Sequence, residues 1–566
     1  MTNSDWCPAH FESRQRAIRP KEPGAHVERQ VSLGGKQAEH ADQGWKGRVR
    51  ERYHQQTWEE PLIYDLGSPG ERGILPPVID STVRAEVGDP VALVPAGMLR
   101  TDPPALPQVA QPQIMRHYTR LSQELLAEDS AILLSQGTCS MKYSSKVNER
   151  LVNMEEHLEL HPRQDEDTVQ GILEVLYQFS ECLKAISGLD GVSLQPASGS
   201  QGVFSNARTI RQYHEDAGHG LAEKDEVVTT IFSHPCCPAI PHMAGYNVIT
   251  VYPDDTGYGS LDKFKAAINE RTAALQICCP DDTGILHPQI DKICELVHDV
   301  GGLAVLDAAN ANGFFGWYKA ADAGFDMVHW NLHKSFSSPH GTGGPGGGPV
   351  AVSKALEKYL PVPIPAYDAK SDRYYLDWDR PDSIGKVRSF YGNIGVILRS
   401  YAWLMSLGPD GLRTVSDIAV LNNNYLRKLF AEIRGVAMWY TEPRRMHEIR
   451  WSFEQLQKET GVGVVEVGSR LSDYGIGAPF FSHHPWIVPE PMTPEPTETY
   501  SKAEVEEFAA VVNRVCEEAY SDPDLVKSAP HKSAWGLMDY GVPADFSGLA
   551  TSRRAMLTRY EDIPAE

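Results

Sequence analysis

Apolar residues recur at helical spacing at Val169, Ile172, Leu173, Leu176, Leu183 and Ile186, with Asp165, Glu166 and Asp167 ahead of them. That spacing predicts a helix with one buried face, acids at its positive end and Gly188 as its stop. Ile290, Ile293, Val297 and Val300 repeat the pattern, Gly301-Gly302 closes it, and a short apolar run from Leu303 to Leu306 ends at Asp307. A helix feeding a buried strand is an α/β crossover. Further short runs at Val192 to Leu194, Val227 to Phe232, Val248 to Val251 and Ala273 to Ile277 predict a mostly parallel sheet with helices on both faces.

Toward the carboxyl end, Ser501 and Glu504 form a capping box ahead of Val505, Phe508, Val512 and Val515, and Val462 to Val467 reads as a strand. A smaller α+β domain is expected there. The expected organisation is a polar N-terminal extension (1–57) without an apolar period and a wrapping segment (58–130) of turns and extended pieces punctuated by Pro and Gly. A large domain (131–361), a linker (362–382) carrying Pro363, Pro365 and Pro381, the small domain (383–545) and a tail (546–566) follow.

Charge narrows the function classes. The 566 residues include 53 Lys plus Arg and 75 Asp plus Glu, a formal charge of −22, which opposes attraction to nucleic acid or an anionic bilayer. The longest apolar runs fall short of the ~20 residues of a spanning helix, and the polar start lacks the apolar stretch of a secretory signal. A soluble, cytoplasmic protein is expected. Nine Cys, an odd number at irregular spacing, read as reduced thiols. Neighbouring cysteines on a strand face opposite ways, so Cys236-Cys237 and Cys278-Cys279 read as buried thiols, and no metal is expected.

Three features carry candidate chemistry. The loop Ala197-Ser198-Gly199-Ser200-Gln201-Gly202, between the strand at Val192 and a helix opening near Phe204, can cradle a phosphate with its N–H groups, the helix dipole and the hydroxyls of Ser198 and Ser200. Asp307 stands at the carboxyl end of a strand, where ligands of open α/β sheets gather. Lys334, in Asn331-Leu332-His333-Lys334-Ser335-Phe336, precedes a glycine-dense run from Gly341 to Gly348. Anion cradle, carboxylate and lysine, in that order, are what pyridoxal phosphate requires for its phosphate, its pyridine nitrogen and its Schiff base.

The segment from Asn331 to Pro349 resembles the cofactor-lysine region of the glycine cleavage system P-protein, in particular its second subunit. The similarity includes Gly137 to Tyr143, His161-Pro162, Gln195-Pro196-Ala197, Asp307 to Asn310, Ser383 to Val387, Leu421 to Tyr425, Pro489-Glu490-Pro491 and Glu495 to Glu498. It spans about residues 60 to 545. The resemblance implies an α/β, fold-type I, aminotransferase-like architecture and a homodimer with active sites at the subunit boundary. It assigns Lys334 as the aldimine lysine, Asp307 as partner of the pyridine nitrogen and His234 as a ring or substrate contact. Ser198, Gly199, Ser200, Gln201, Cys279, His333, Thr342 and Gly343 are the expected cofactor-binding residues, and Cys139, Ser140, Met141 and Lys142 approach the substrate.

Departures from the family pattern fall around the cofactor. Gln201 stands where a ring-stacking His is usual, and Cys236, Cys237 and the Cys278-Cys279 pair stand where Thr-Asn-Pro segments are usual. Cys is a much weaker donor than Asn. The retained lysine and acid predict an enzyme that forms an external aldimine and a quinonoid carbanion from an amino acid. The altered pocket leads us to expect a specialised-metabolism enzyme that makes a C–C bond. One version eliminates the sulfonium of S-adenosylmethionine and adds the carbon nucleophile to a nicotinamide ring. The alternative is glycine decarboxylase, passing aminomethyl to a lipoyl carrier protein beside a first P-protein subunit.

Overall fold

The computed structural model describes residues 47–53, 58, 60–100, 102, 104, 106–127, 129–134, 142–340, 344–477, 481–483 and 485–533. The chain divides into two compact units. One comprises 50–127, 472–475 and 528–566; the other comprises 1–49, 128–471 and 476–527. The first contains α1 (Ser81–Val87), capped by Asp80, and α2 (Gln111–Gln123). Helix α1 lies where only turns and extended chain were expected, because Asp80 accepts a hydrogen bond from the Thr82 N–H at 2.8 Å.

The larger unit opens with α3 (Lys146–Val152), α4 (Glu155–Leu158) and α5 (Gln170–Ser187). The predicted apolar face of α5 is buried, and Gly188 ends the helix at φ +74°, a conformation that favours glycine. Then follow β1 (Gly191–Ser193), α6 (Gly199–Asp216), β2 (Glu226–Thr230), α7 (Cys236–Met243), β3 (Asn247–Val251), α8 (Leu261–Ala267), β4 (Thr272–Cys278), α9 (Ile290–Asp299), β5 (Leu303–Ala308), β6 (Met327–Trp330) and β7 (Val350–Val352). These strands form one sheet in the order β1-β7-β6-β5-β4-β2-β3, parallel except where β7 pairs with β1 and β6. Strands β4 to β6 are buried on both faces, which explains their continuous apolar runs.

Two strands, β8 (Ile364–Asp368) and β9 (Arg373–Asp377), make a separate hairpin within the expected linker. Helix α10 (Ile394–Phe430) breaks at Gly408, φ +66°, just before Pro409. Beyond it lie β10 (Ala437–Met438), β11 (Trp451–Ser452), α11 (Glu454–Thr460), α12 (Val464–Ser472), β12 (Pro491–Met492), α13 (Lys502–Ser521) and α14 (Pro523–Lys527). The expected strand at Val462 to Val467 is instead the opening of α12. Its apolar residues Val464, Val467 and Leu471 recur every three or four positions, and Glu490 accepts the Val464 N–H at 2.7 Å. The capping box of α13 is present as read, with Ser501 and Glu504 bonding reciprocally. Among the described residues no helix is long and apolar enough to cross a membrane.

Candidate active site

Strand β5 delivers Asp307 to the carboxyl edge of the sheet, where it is 4 % exposed. Its Oδ1 accepts the Ala309 N–H at 3.0 Å and lies 3.3 Å from Nε2 of His329, the residue beside it on β6. Its Oδ2 accepts from the Cys237 thiol at 3.2 Å and the Cys236 thiol at 3.6 Å. Burial alone would raise this carboxyl. The positive charges that His329 and His234 carry in acid, the Ala309 N–H and the Cys237 thiol outweigh it and hold Asp307 at about 2. An ionised acid is therefore fixed at the floor of the site.

Lys334 follows β6 in a tight turn, its N–H donating to the Asn331 carbonyl at 3.0 Å, and is 8 % exposed. Lys142 pins that turn. Its ammonium donates to the Ser335 carbonyl at 2.6 Å, pairs with Glu498 at 2.7 Å, lies 3.4 Å from Asn312 Oδ1 and sits over the Trp403 ring. With its donors so engaged, Lys142 holds the turn that carries Lys334. Cys139, Ser140 and Met141, and Thr342 and Gly343 after Lys334, lie outside the described residues.

The cradle forms at the start of α6. Ser198 caps the helix, its Oγ accepting the Gln201 N–H at 3.1 Å, so Gly199 and Ser200 occupy the first turn with N–H groups unclaimed by the helix. The loop is close packed: a Cβ on Gly199 would lie 2.4 Å from Asn331 Oδ1, and one on Gly348 would lie 2.0 Å from the Ser198 carbonyl. Backbone thus approaches where side chains cannot.

The Gln201 side chain bonds backbone on both sides. Its Oε1 accepts the Ala197 N–H and its Nε2 donates to the Val387 carbonyl, both at 2.7 Å, so the amide ties the loop before α6 to the segment after the hairpin. Gln201→Leu leaves both backbone groups without these partners. It is expected to lower stability by about 1–2 kcal/mol and to weaken pyridoxal phosphate binding, read from thermal melts and an absorbance titration.

His234 is the imidazole near Asp307 and Lys334. Burial first, then repulsion from Lys334, pushes it down to about 4 against the pull of Asp307 and Asp282, so it is neutral near pH 7. Its ring meets the His483 ring edge to face at 4.5 Å, and His483 bonds Asp282 at 3.1 Å. His333 lies 4.5 Å from the His340 ring; burial, then Lys334, pushes it to about 3.

The cysteines require two corrections. Cys236 and Cys237 are not on a strand but open α7, and both sulfurs reach Asp307. Strand parity governs the other pair: Cys278, the last residue of β4, accepts the His234 N–H at 3.3 Å and contacts Cys237, whereas Cys279 packs in the hydrophobic core. Cys278 rather than Cys279 therefore belongs to the site.

Sequence reasoning singled out no arginine and missed the buried acids. Arg450 is 6 % exposed; its Nε donates to Thr493 at 3.3 Å, and its Nη2 lies 3.6 Å from Asp282 without forming a hydrogen bond. Glu448, two residues earlier, is driven well up by burial and by Glu495, which accepts from Asn310 and Asn312. No local pattern in the sequence marks these residues.

Residues 207–347 match the aminotransferase class-V family model, and residues 415–531 match the glycine dehydrogenase C-terminal domain. A probable glycine dehydrogenase (decarboxylating) subunit 2 of Pyrococcus abyssi is 42 % identical over 482 residues, covering 85 % of this chain and 94 % of that protein. The chain belongs to that family. A probable glycine dehydrogenase (decarboxylating) subunit 2 of Halalkalibacterium halodurans is 38 % identical, covering 89 % and 99 %. The fold is shared with a crystal structure of inhibitor-bound glycine decarboxylase (P-protein) of the glycine cleavage system, at TM-score 0.63 and 19 % identity over 77 % of this chain and 97 % of that one. A NifS-like protein shares it at TM-score 0.53 and 15 % identity, over 68 % and 99 %.

The family is one of pyridoxal-phosphate-dependent enzymes of fold type I. The residues fit that coenzyme: a buried amine, an ionised acid at the sheet edge, and a close-packed helix start whose N–H groups suit a phosphate. When bound, the coenzyme withdraws electrons from the substrate's Cα.

Proposed function

We propose that this chain decarboxylates glycine as the second subunit of a two-subunit P-protein, passing the aminomethyl group to a lipoyl carrier protein, and that it works as a dimer. The observation that supports this reading most is the buried residues Lys334 and Asp307 in a chain that matches 94 % of the length of a probable glycine dehydrogenase subunit. Lys334 supplies the amine that attaches the coenzyme. Asp307 keeps the ring nitrogen protonated, and the N–H groups of Gly199 and Ser200 with the Ser198 loop receive the phosphate. His234, neutral near pH 7, flanks the ring. Arg450 is the buried cation suited to a substrate carboxylate, and Glu448, its carboxyl pushed well up by burial, is a candidate proton donor near it.

The relatives favour glycine decarboxylation over the C–C-bond-forming reading, and nothing in them points to S-adenosylmethionine. The thiols around Asp307 are the one feature that favours a different amino acid. The test mixes the purified chain with a first subunit, a lipoyl carrier, pyridoxal phosphate, glycine and labelled bicarbonate. Label entering the glycine carboxyl is the expected result. No exchange with glycine, together with Cα–H exchange in a larger amino acid, overturns the reading.

A further inference from the structure

The sulfurs of Cys236 and Cys237 and a carboxylate oxygen of Asp307 lie within 4.8 Å of one another, and all three residues are buried. Cys278 adds a third sulfur against Cys237. A tetrahedral ion with bonds of about 2.3 Å to sulfur and 2.0–2.2 Å to oxygen holds its donors roughly 3.5–3.8 Å apart. The observed sulfur to oxygen separations are 3.2 and 3.6 Å. Thus the donors stand near binding distance before any ion arrives. The start of α7 makes this geometry, since successive residues there can turn both sulfurs to one oxygen.

We propose that Cys236, Cys237 and Asp307, with Cys278 beside them, form a site for a divalent thiophilic d¹⁰ cation of the zinc and cadmium class, and that its occupancy excludes the coenzyme. Binding replaces two S–H bonds by two metal–sulfur bonds and releases two protons to solvent, with no change of oxidation state. The exclusion rests on the reading that Asp307 partners the coenzyme's ring nitrogen. A carboxylate committed to a cation cannot also pair with a pyridinium, and the ion occupies the floor on which the ring would sit.

The test uses the full chain stripped of coenzyme, in a non-chelating phosphine reductant, titrated with Cd²⁺. We expect a sulfur-to-cadmium charge-transfer band saturating at one ion per chain, and protection of Cys236 and Cys237 from alkylation, mapped by mass spectrometry on the unmutated protein. Pyridoxal phosphate should bind at least tenfold more weakly with Cd²⁺ present. Cys237→Ser should lose most of the band, whereas Cys516→Ser, a buried thiol on α13, should keep it. Absence of the charge-transfer band, or its full retention in Cys237→Ser, overturns the site, and cadmium and coenzyme binding together at undiminished affinity overturns the exclusion. Failure of the metal-free chain to bind pyridoxal phosphate at all overturns the coenzyme reading instead, leaving the charge-transfer and protection results to decide the metal site.

Discussion

Lys334→Ala should leave a protein that binds pyridoxal phosphate without a covalent link, lacks the visible band of the attached coenzyme, and takes up no label at position 334 on borohydride reduction. The cause is local. Lys334 is the buried amine in a turn pinned by the Lys142 ammonium on the Ser335 carbonyl, and its charge and that of the acid on β5 both act on His234. Turnover should fall roughly 10³-fold, within the range a positioned proton-transferring side chain contributes. The cradle at the start of α6 does not use this side chain, so equilibrium dialysis should still find the phosphate held. A second signature separates loss of an amine from loss of fold. The Lys334 ammonium is the second cause, after burial, of the lowered His234 and His333 values of about 4 and about 3. Removing a positive charge makes protonation of an imidazole easier, so both should titrate at higher pH in the variant, while burial keeps them below the ordinary value. Imidazole shifts followed by NMR test this; unchanged titrations would place Lys334 away from both rings.

The sheet and its acid were legible because period and burial coincide there. Strands buried on both faces write themselves as unbroken apolar runs, and β5 leads to Asp307 in the run that was read. Helix α12 was not legible in the same way: Val462 to Val467 is a short valine-rich run that fits either element, and a tertiary bond from Val464 to Glu490 settles it as helix. Cys236-Cys237 are the buried thiols expected, but their faces were not legible, since that depends on knowing whether the pair sits on a strand or a helix start. The two bonds of the Gln201 side chain were not legible because its partners, Ala197 and Val387, include one 186 residues away. The buried charges Arg450, Glu448 and Glu495 come together only in three dimensions, and no local pattern announces them.

Asp307→Asn is the sharper test of the electron sink. In the native chain the carboxyl titrates at about 2, below its unfolded value of about 3.9. A group lowered in this way stabilises the fold fully above its unfolded value and loses that contribution as pH falls toward its folded value. The native chain should therefore lose part of its stability between about pH 4 and 2 through this residue, and the Asn variant should lack that component while being less stable near neutrality. Asn also gives the coenzyme's ring nitrogen no negative partner, so the charge left at Cα finds a weaker sink. Turnover should drop by roughly 10²–10³, the cost of losing one preorganised charge-stabilising contact, with a smaller change in KM because Arg450, the cation suited to the substrate carboxylate, is untouched. Thermal melts from pH 7 down to about pH 2, and kcat and KM measured separately, test both halves. An Asn variant with native kcat would show that the coenzyme's nitrogen has another partner, and His329, 3.3 Å from the same carboxylate, would be the first residue to examine.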